Sequence, residues 1–225
     1  MLRVLTAWLV TFGTILGVLI SAARASDITF GPDLASSNWN VVSFPFKRPI
    51  TTSIIDTGTL EIIADHAAGM IWHALPSRIG RPERAQWSWR VDAGVGATDL
   101  ASKGADDRAI AVYFIFGHAG DREKDVMSLL NSQSVSTLVY VHGGAEPRGA
   151  IVQSPHMGER GKFIILRPAN SERKVWLDEQ VDLQADYRRA FERPPPDLLA
   201  IAVSSDSDDT GGINRTRIRG ISVRP

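Results

Sequence analysis

The segment from Ile110 to Phe116 is apolar on both sides, and a strand of that kind needs one face in a core and a second face that is covered or shallow. Ile110, Val112, Phe114 and Phe116 are expected to enter the core. Ala109, Ala111, Tyr113 and Ile115 form an opposite surface, either covered by another segment or left as a shallow face bearing the tyrosine. Gln86 to Asp92 alternates instead, with Trp87, Trp89 and Val91 on one side and Gln86, Ser88, Arg90 and Asp92 on the other. Further strands are expected at Val41 to Phe46, Thr59 to Ala64, Met70 to Leu75, Thr137 to His142, Lys162 to Arg167, Lys174 to Val181, Leu198 to Ser204 and Arg217 to Val223. So many strands with so little helical sequence between them predict an all-β chain, a single domain of antiparallel sheets packed face to face as a β-sandwich. Two short helices interrupt it. Asp182 can cap one that carries Leu183, Tyr187 and Phe191 and must end before Pro194-Pro195-Pro196, and Asp125 to Gln133 places Val126, Leu129 and Leu130 on one stripe.

Ahead of that domain, Arg3 precedes an apolar run from Val4 to Ile20 that ends in Ser21-Ala22-Ala23-Arg24-Ala25. This is the layout of a signal peptide over residues 1–25, cleaved after Ala25, and it predicts an exported, periplasmic or secreted protein with residues 26–225 as its one domain. An uncleaved N-terminal anchor is the rival reading, because the apolar run nearly reaches the length of a membrane span. Cleavage would remove Arg3 and Arg24 and no acid, so 25 basic and 25 acidic side chains become 23 and 25, a formal net of −2. Such a balance offers no field for nucleic acid or an anionic membrane. Cysteine is absent, which excludes thiol catalysis, iron–sulfur clusters and cysteine zinc sites.

The strongest local charge anomaly is the loop after Leu198 to Val203, which reads Ser-Ser-Asp-Ser-Asp-Asp-Thr-Gly-Gly. Asp206, Asp208, Thr210 and Gly211 match the opening positions of an EF-hand calcium loop, but Arg217 stands where the bidentate glutamate belongs and a strand follows, so a true EF-hand is excluded. A calcium loop of another kind, built on Asp206, Asp208, Asp209 and Thr210, remains open beside a solvated turn whose aspartates bond their own backbone. A second charged loop, Lys103-Gly104-Ala105-Asp106-Asp107-Arg108, directly precedes the most apolar strand. It reads either as a ligand-gripping turn or as a charged hairpin entrance that protects the sheet from aggregation.

Other chemistry lacks its usual signatures. No Gly-x-Ser-x-Gly elbow, P-loop or dinucleotide fingerprint occurs, and the five histidines show no paired helical spacing for zinc. The Glu-x-Asp-x-Glu strand of many sandwich glycosidases is missing. Trp87 and Trp89 share the parity of Val91 and read as core, which leaves Trp72 and Trp176 as the better sugar-stacking candidates.

Taken in order, Trp87-Ser88-Trp89-Arg90-Val91, Lys103-Gly104, Asp106-Asp107, Ala111-Val112-Tyr113, Asp186-Tyr187-Arg188 with Phe191, and Ser205 to Gly211 resemble a bacterial exported family, DUF3047, a domain of unknown function. The resemblance implies a jelly-roll sandwich similar in build to carbohydrate-binding modules. The chain departs from the family pattern at Val139 and His142, where Asn and Trp are expected around Tyr140, and at Ser154-Pro155-His156, where an Asn-Pro-aromatic step is usual. The acid loop and the Lys103 to Asp107 turn are retained. The expected function is therefore non-catalytic binding of a glycan or similar envelope ligand through Arg90, Lys103, Asp106, Asp107 and Tyr113, with Asp206, Asp208, Asp209 and Thr210 as the calcium candidates. The alternatives are a polysaccharide-active hydrolase or lyase using carboxylates of the acidic loops, and a structural or partner-binding envelope protein.

Overall fold

The computed structural model describes residues 26–225, so the expected signal peptide lies outside the described residues. The strands in chain order are β1 (Ser26–Ile28), β2 (Trp39–Ser43), β3 (Thr51–Asp56), β4 (Thr59–Asp65), β5 (Ala68–Ala74), β6 (Arg84–Ala93), β7 (Arg108–Gly117), β8 (Ser136–His142), β9 (Ile151–Ser154), β10 (Gly158–Arg167), β11 (Leu177–Asp182), β12 (Asp197–Asp206) and β13 (Ile213–Arg224). Helix α1 (Val126–Asn131) follows β7, and α2 (Leu183–Phe191) follows β11. One sheet runs β11-β6-β13-β4-β3 with β1 also paired to β13, and the other runs β2-β5-β12-β7-β8-β10-β9. The result is a jelly-roll-like β-sandwich. Every pairing is antiparallel except that of β8 with β10, which run parallel because β9 returns along the sheet edge and β10 is inserted between β9 and β8. Among the described residues no helix is long and apolar enough to cross a membrane.

Alternation in β6 puts Trp87, Trp89 and Val91 into the space between the sheets, where Trp87 packs against Phe114 and Tyr140 of the facing sheet. The layers are also joined by charge. Glu179 on β11 is buried, accepts the indole N–H of Trp89 at 3.0 Å and pairs with Arg167 at the end of β10 at 2.7 Å. A buried carboxylate is tolerated there because both oxygens have donors. Helix α2 forms as its sequence requires. The side chain of Asp182 accepts from the Ala185 N–H at 2.8 Å, Leu183 and Tyr187 are buried, and Tyr187 packs edge-on against Phe116. Asp125 caps α1 in the same way.

β7 is covered on both faces. Ala111 and Ile115 join a second apolar cluster with Val126 and Leu129 of α1, Val139, Phe163 and Leu199. The surface that sequence left either covered or shallow is thus both: Ala111 and Ile115 are buried in this cluster, and Tyr113 lines a cleft beside it. Three strands escaped the sequence pattern: β1, β3 and β9 are short or polar and lie at sheet edges or pair on one side only, so periodicity marks them weakly. Lys174 lies outside β11, in the left-handed backbone region at φ 65°, and the strand begins only at Leu177. Trp89→Phe keeps the ring in the core and removes the donor to Glu179. It is expected to cost about 1–3 kcal/mol in urea unfolding, and an unchanged midpoint would remove this tie from the account of stability.

Candidate functional site

The site begins with an irregularity in β7. Ala111 lies opposite Ser204 and Arg108 opposite Asp206, so three steps along β7 match two along β12. This is a β-bulge, and its consequence is a reversal of side-chain parity. Ala109 and Ile110 both enter the core cluster, which corrects the placement of Ala109 on the opposite surface. Arg108 turns to the outer face of the seven-stranded sheet, the face that Tyr113 shares. There the Arg108 guanidinium donates to the Tyr113 hydroxyl at 2.7 Å and to the Asp106 carbonyl at 2.8 Å, and lies 5.3 Å from the Phe163 ring centre. Gly143 makes room for it, since a Cβ there would come within 2.9 Å of the Arg108 Cβ.

These residues floor a cleft of about 360 Å3. Phe44, Pro45 and Lys47 form one rim, Met127, Leu130 and Asn131 from α1 a second, and Ser154, His156 and Met157 a third, while Met70, Tyr113 and Phe163 lie beneath. Asp206, Asp208 and Asp209 close one end. The two acidic loops, about a hundred positions apart in sequence, therefore meet. Asp107 is fully buried and accepts the N–H and hydroxyl of Thr210 at 2.7 and 2.6 Å, so it holds the acid loop in place from behind. Asn214 completes the joint, donating to the carbonyls of Arg108 and Asp206 while its own oxygen accepts from the Val95 N–H. Asp107, Asp206 and Asp208 each bring a carboxylate oxygen within 4.8 Å of the others, an arrangement that could hold a metal ion.

The charges of this corner are already committed in part. Lys47 pairs with Asp208 and, at 3.0 Å, with Asp209, and those bonds push its ammonium pKa up. Arg108 lies 3.4 Å from Asp106 and 3.5 Å from Asp206, and despite burial the neighbouring Tyr113, Asp206 and Asp106 keep it charged. Asp106 is itself buried, but the bond to His156 at 3.1 Å and the charge of Arg108 hold it below the ordinary carboxylate range. Burial has the opposite outcome at Asp206. It pushes the carboxyl up to about 8, against the pull of Arg108 and with help from Asp208 and Asp107. Asp208 stays ionised, held down against burial by its bonds to Asp206 and Lys47. Near neutral pH the pair is thus one acid and one carboxylate.

Of the residues singled out from sequence, Tyr113, Asp206, Asp208 and Asp209 come together at the cleft, and Asp106, Asp107 and Thr210 buttress it from behind. Arg90 does not. It projects from the outer face of the six-stranded sheet, bonded to Asp92 at 2.7 Å, on the far side of the sandwich. Lys103 is exposed on the turn before Asp106 and lines no part of the cleft. Neither tryptophan stacking candidate reaches it: Trp72 packs on the outer apolar cluster and Trp176 lies under Arg219, 4.0 Å from ring centre to guanidinium. Sequence reasoning missed Phe44, Lys47, His156, Phe163 and Asn214, whereas Arg108 of the ligand-gripping turn does line the cleft. Only the departure at Ser154-Pro155-His156 pointed toward one of them.

A family model described as Protein of unknown function (DUF3047) matches residues 37–222. No curated protein matches the sequence. Among solved structures the chain is similar to a meso-active thermo-stable cellulase derived from Cel12A of Rhodothermus marinus, with 16% identity over 89% of this chain and 99% of that one and a TM-score of 0.48. It is also similar to a family 11 carbohydrate-binding module of Clostridium thermocellum (10% identity, 91% and 96% covered, TM-score 0.43). The xyloglucanase domain of NopAA, a type three effector from Sinorhizobium fredii, is a third (12% identity, 89% and 97% covered, TM-score 0.45). At such scores these are distant likenesses of build, and no residue role passes from them to this chain.

The proton on Asp206 has a consequence for stability. An unfolded aspartate titrates at about 3.9, whereas this one titrates at about 8 in the folded protein. Between those values the folded chain holds more protons than the unfolded one, so its contribution is present at low pH and is lost as pH rises from about 4 to about 8. Asp208, held below its ordinary value, acts in the opposite sense only below about pH 4. Asp206→Asn is expected to melt higher than the parent above about pH 8 and to lose that advantage near pH 4. Thermal unfolding of both across this range checks it, and a constant difference would remove the proton from Asp206.

Proposed function

We propose that this chain, which belongs to the family described as Protein of unknown function (DUF3047), is an exported envelope protein that binds a glycan, without chemistry, in the cleft on the outer face of its seven-stranded sheet. One observation carries the reading. The cleft sets aromatic and thioether side chains, Phe44, Tyr113, Phe163 and Met157, beside the hydrogen-bonding groups of Asp206, Asp208 and His156. A sugar ring asks for that pairing, because its C–H face packs on apolar side chains while its hydroxyls need fixed polar partners. The export signal read in residues 1–25 supports a periplasmic or extracellular location. Titration of the purified protein by calorimetry against neutral, amino and acidic oligosaccharides is expected to find at least one binder. Phe44→Ala is expected to weaken that binder about tenfold at a temperature where the variant remains folded. A panel with no binder would sink the reading.

A divalent cation is the second reading, supported by the convergence of Asp107, Asp206 and Asp208. Calcium takes six to eight oxygens, and here it would have to displace Lys47 from Asp208 and strip the proton from Asp206. Binding is thus expected to strengthen as pH rises toward about 8. Melting curves with and without millimolar calcium at two pH values check it, since an ion that binds only the folded state must raise the transition. No shift at either pH removes calcium and leaves the glycan cleft intact.

A further inference from the structure

Resting on the glycan reading of the cleft, we infer that Phe46 is an outer stacking platform for the same ligand, which is a flat, β-1,4-linked chain long enough to leave the cleft and cross the turn after β2. The ring of Phe46 is fully exposed, whereas the next most exposed large apolar residue among the described residues, Ile213, is at 52%. A single exposed apolar side chain is ordinary. This one also occupies the left-handed backbone region, at φ 63°, which glycine enters freely and a bulky aromatic does not. Backbone strain of that kind collects at ligand clamps, where the surrounding structure holds it in place.

The turn is fastened on both sides of Phe46. The Lys47 N–H donates to the Phe44 carbonyl at 3.2 Å and the Ala68 N–H to the Arg48 carbonyl at 3.0 Å, while the Lys47 ammonium pairs with Asp208 and Asp209. The ring is therefore presented to solvent on an already ordered segment, which lowers the cost of using it. Phe44, Pro45 and Lys47 line the cleft and Phe46 stands just outside it. The Cα atoms of Phe44 and Phe46 lie at most about 7 Å apart, the scale of one sugar ring to the next. At about 360 Å3 the cleft is near the small end of the roughly 300–1,000 Å3 that ligand pockets span, so it holds a short stretch of chain and leaves the neighbouring ring outside. Equatorial β-1,4 bonds make a ribbon whose successive rings show apolar C–H faces, and such a ribbon can meet one aromatic surface within the cleft and a second beyond its rim. A bilayer is the competing apolar surface for Phe46. It is disfavoured because both adjacent cations are already paired with acids, Lys47 with Asp208 and Asp209 and Arg48 with Asp65, rather than offered to anionic headgroups.

The experiment uses protein purified after expression of the full chain and four probes, β-1,4-linked oligomers of glucose and of N-acetylglucosamine with two and six rings. Calorimetry is expected to find at least one six-ring chain bound about tenfold tighter than its two-ring counterpart. Phe46→Gly is expected to erase that advantage while leaving the two-ring affinity as it was, and Phe46→Tyr to retain it. Because the ring is fully exposed and glycine suits the left-handed turn, Phe46→Gly is expected to melt no lower than the parent; a lower transition would make the ring a support of the fold and overturn the platform. Equal binding of the two lengths, or equal loss on both in Phe46→Gly, overturns the platform and keeps the glycan cleft, as does binding confined to saccharides of other linkage. Phe46-dependent sedimentation with phosphatidylglycerol vesicles would assign the ring to a bilayer, and Phe46-dependent self-association in light scattering to a second copy of the chain; either overturns the inference. Failure of every saccharide to bind overturns both this inference and the glycan reading.

Discussion

One extra residue in β7 decides on which face of the seven-stranded sheet Arg108 lies. Strand parity allows a side chain only one of two sides, so a regular β7 with Ile110, Val112, Phe114 and Phe116 in the core would have sent Arg108 inward with them. A buried, unpaired guanidinium between two apolar sheets is not a state that a marginally stable domain tolerates. The bulge seats Ala109 in its place and delivers Arg108 to the side where Tyr113, Asp106 and Asp206 can partner it. Bulges often re-aim a side chain next to a site. Here the same step also brings the two acidic loops into register, because Asp206 lies opposite Arg108.

The rest of the corner follows from satisfying charges that have been drawn out of water. Asp107 is spent on the backbone of the acid loop, Asn214 ties the strand ends behind it, and Lys47 reaches across from the β2 end to Asp208 and Asp209. Each arrangement removes a cost that would otherwise fall on folding. Two atoms of this corner, one oxygen of Asp206 and one nitrogen of Arg108, are among the eight buried side-chain atoms left without a hydrogen-bond partner among the described residues.

The outer apolar cluster has a second role. Val126 and Leu129 of α1 share the outer apolar cluster with Ala111 and Ile115, and its Met127 and Leu130 double as a cleft wall. The helix stands because Asp125 caps it and Val126 and Leu129 anchor it, features written plainly in its own residues. Its position over β7 rather than elsewhere is a matter of packing.

Alternation in Gln86 to Asp92, the double apolar face of Ile110 to Phe116, and the caps at Asp125 and Asp182 made the all-β sandwich and both helices legible from sequence alone, because those signals are local and repeat every two or about four residues. The acid-rich loops were legible too, as charge anomalies. Which acids would meet was not, nor that Arg90 and Lys103 would be left outside while Lys47 and His156 came in. Convergence depends on strand order and on a single inserted residue. Neither leaves a trace in composition or periodicity, since a bulge shifts parity without changing the residues that carry it. The sequence by itself thus determined the layers and the chemistry available at their edges. Only the tertiary structure decided which of those groups share one cleft, because sheet pairing joins residues that lie about a hundred positions apart along the chain.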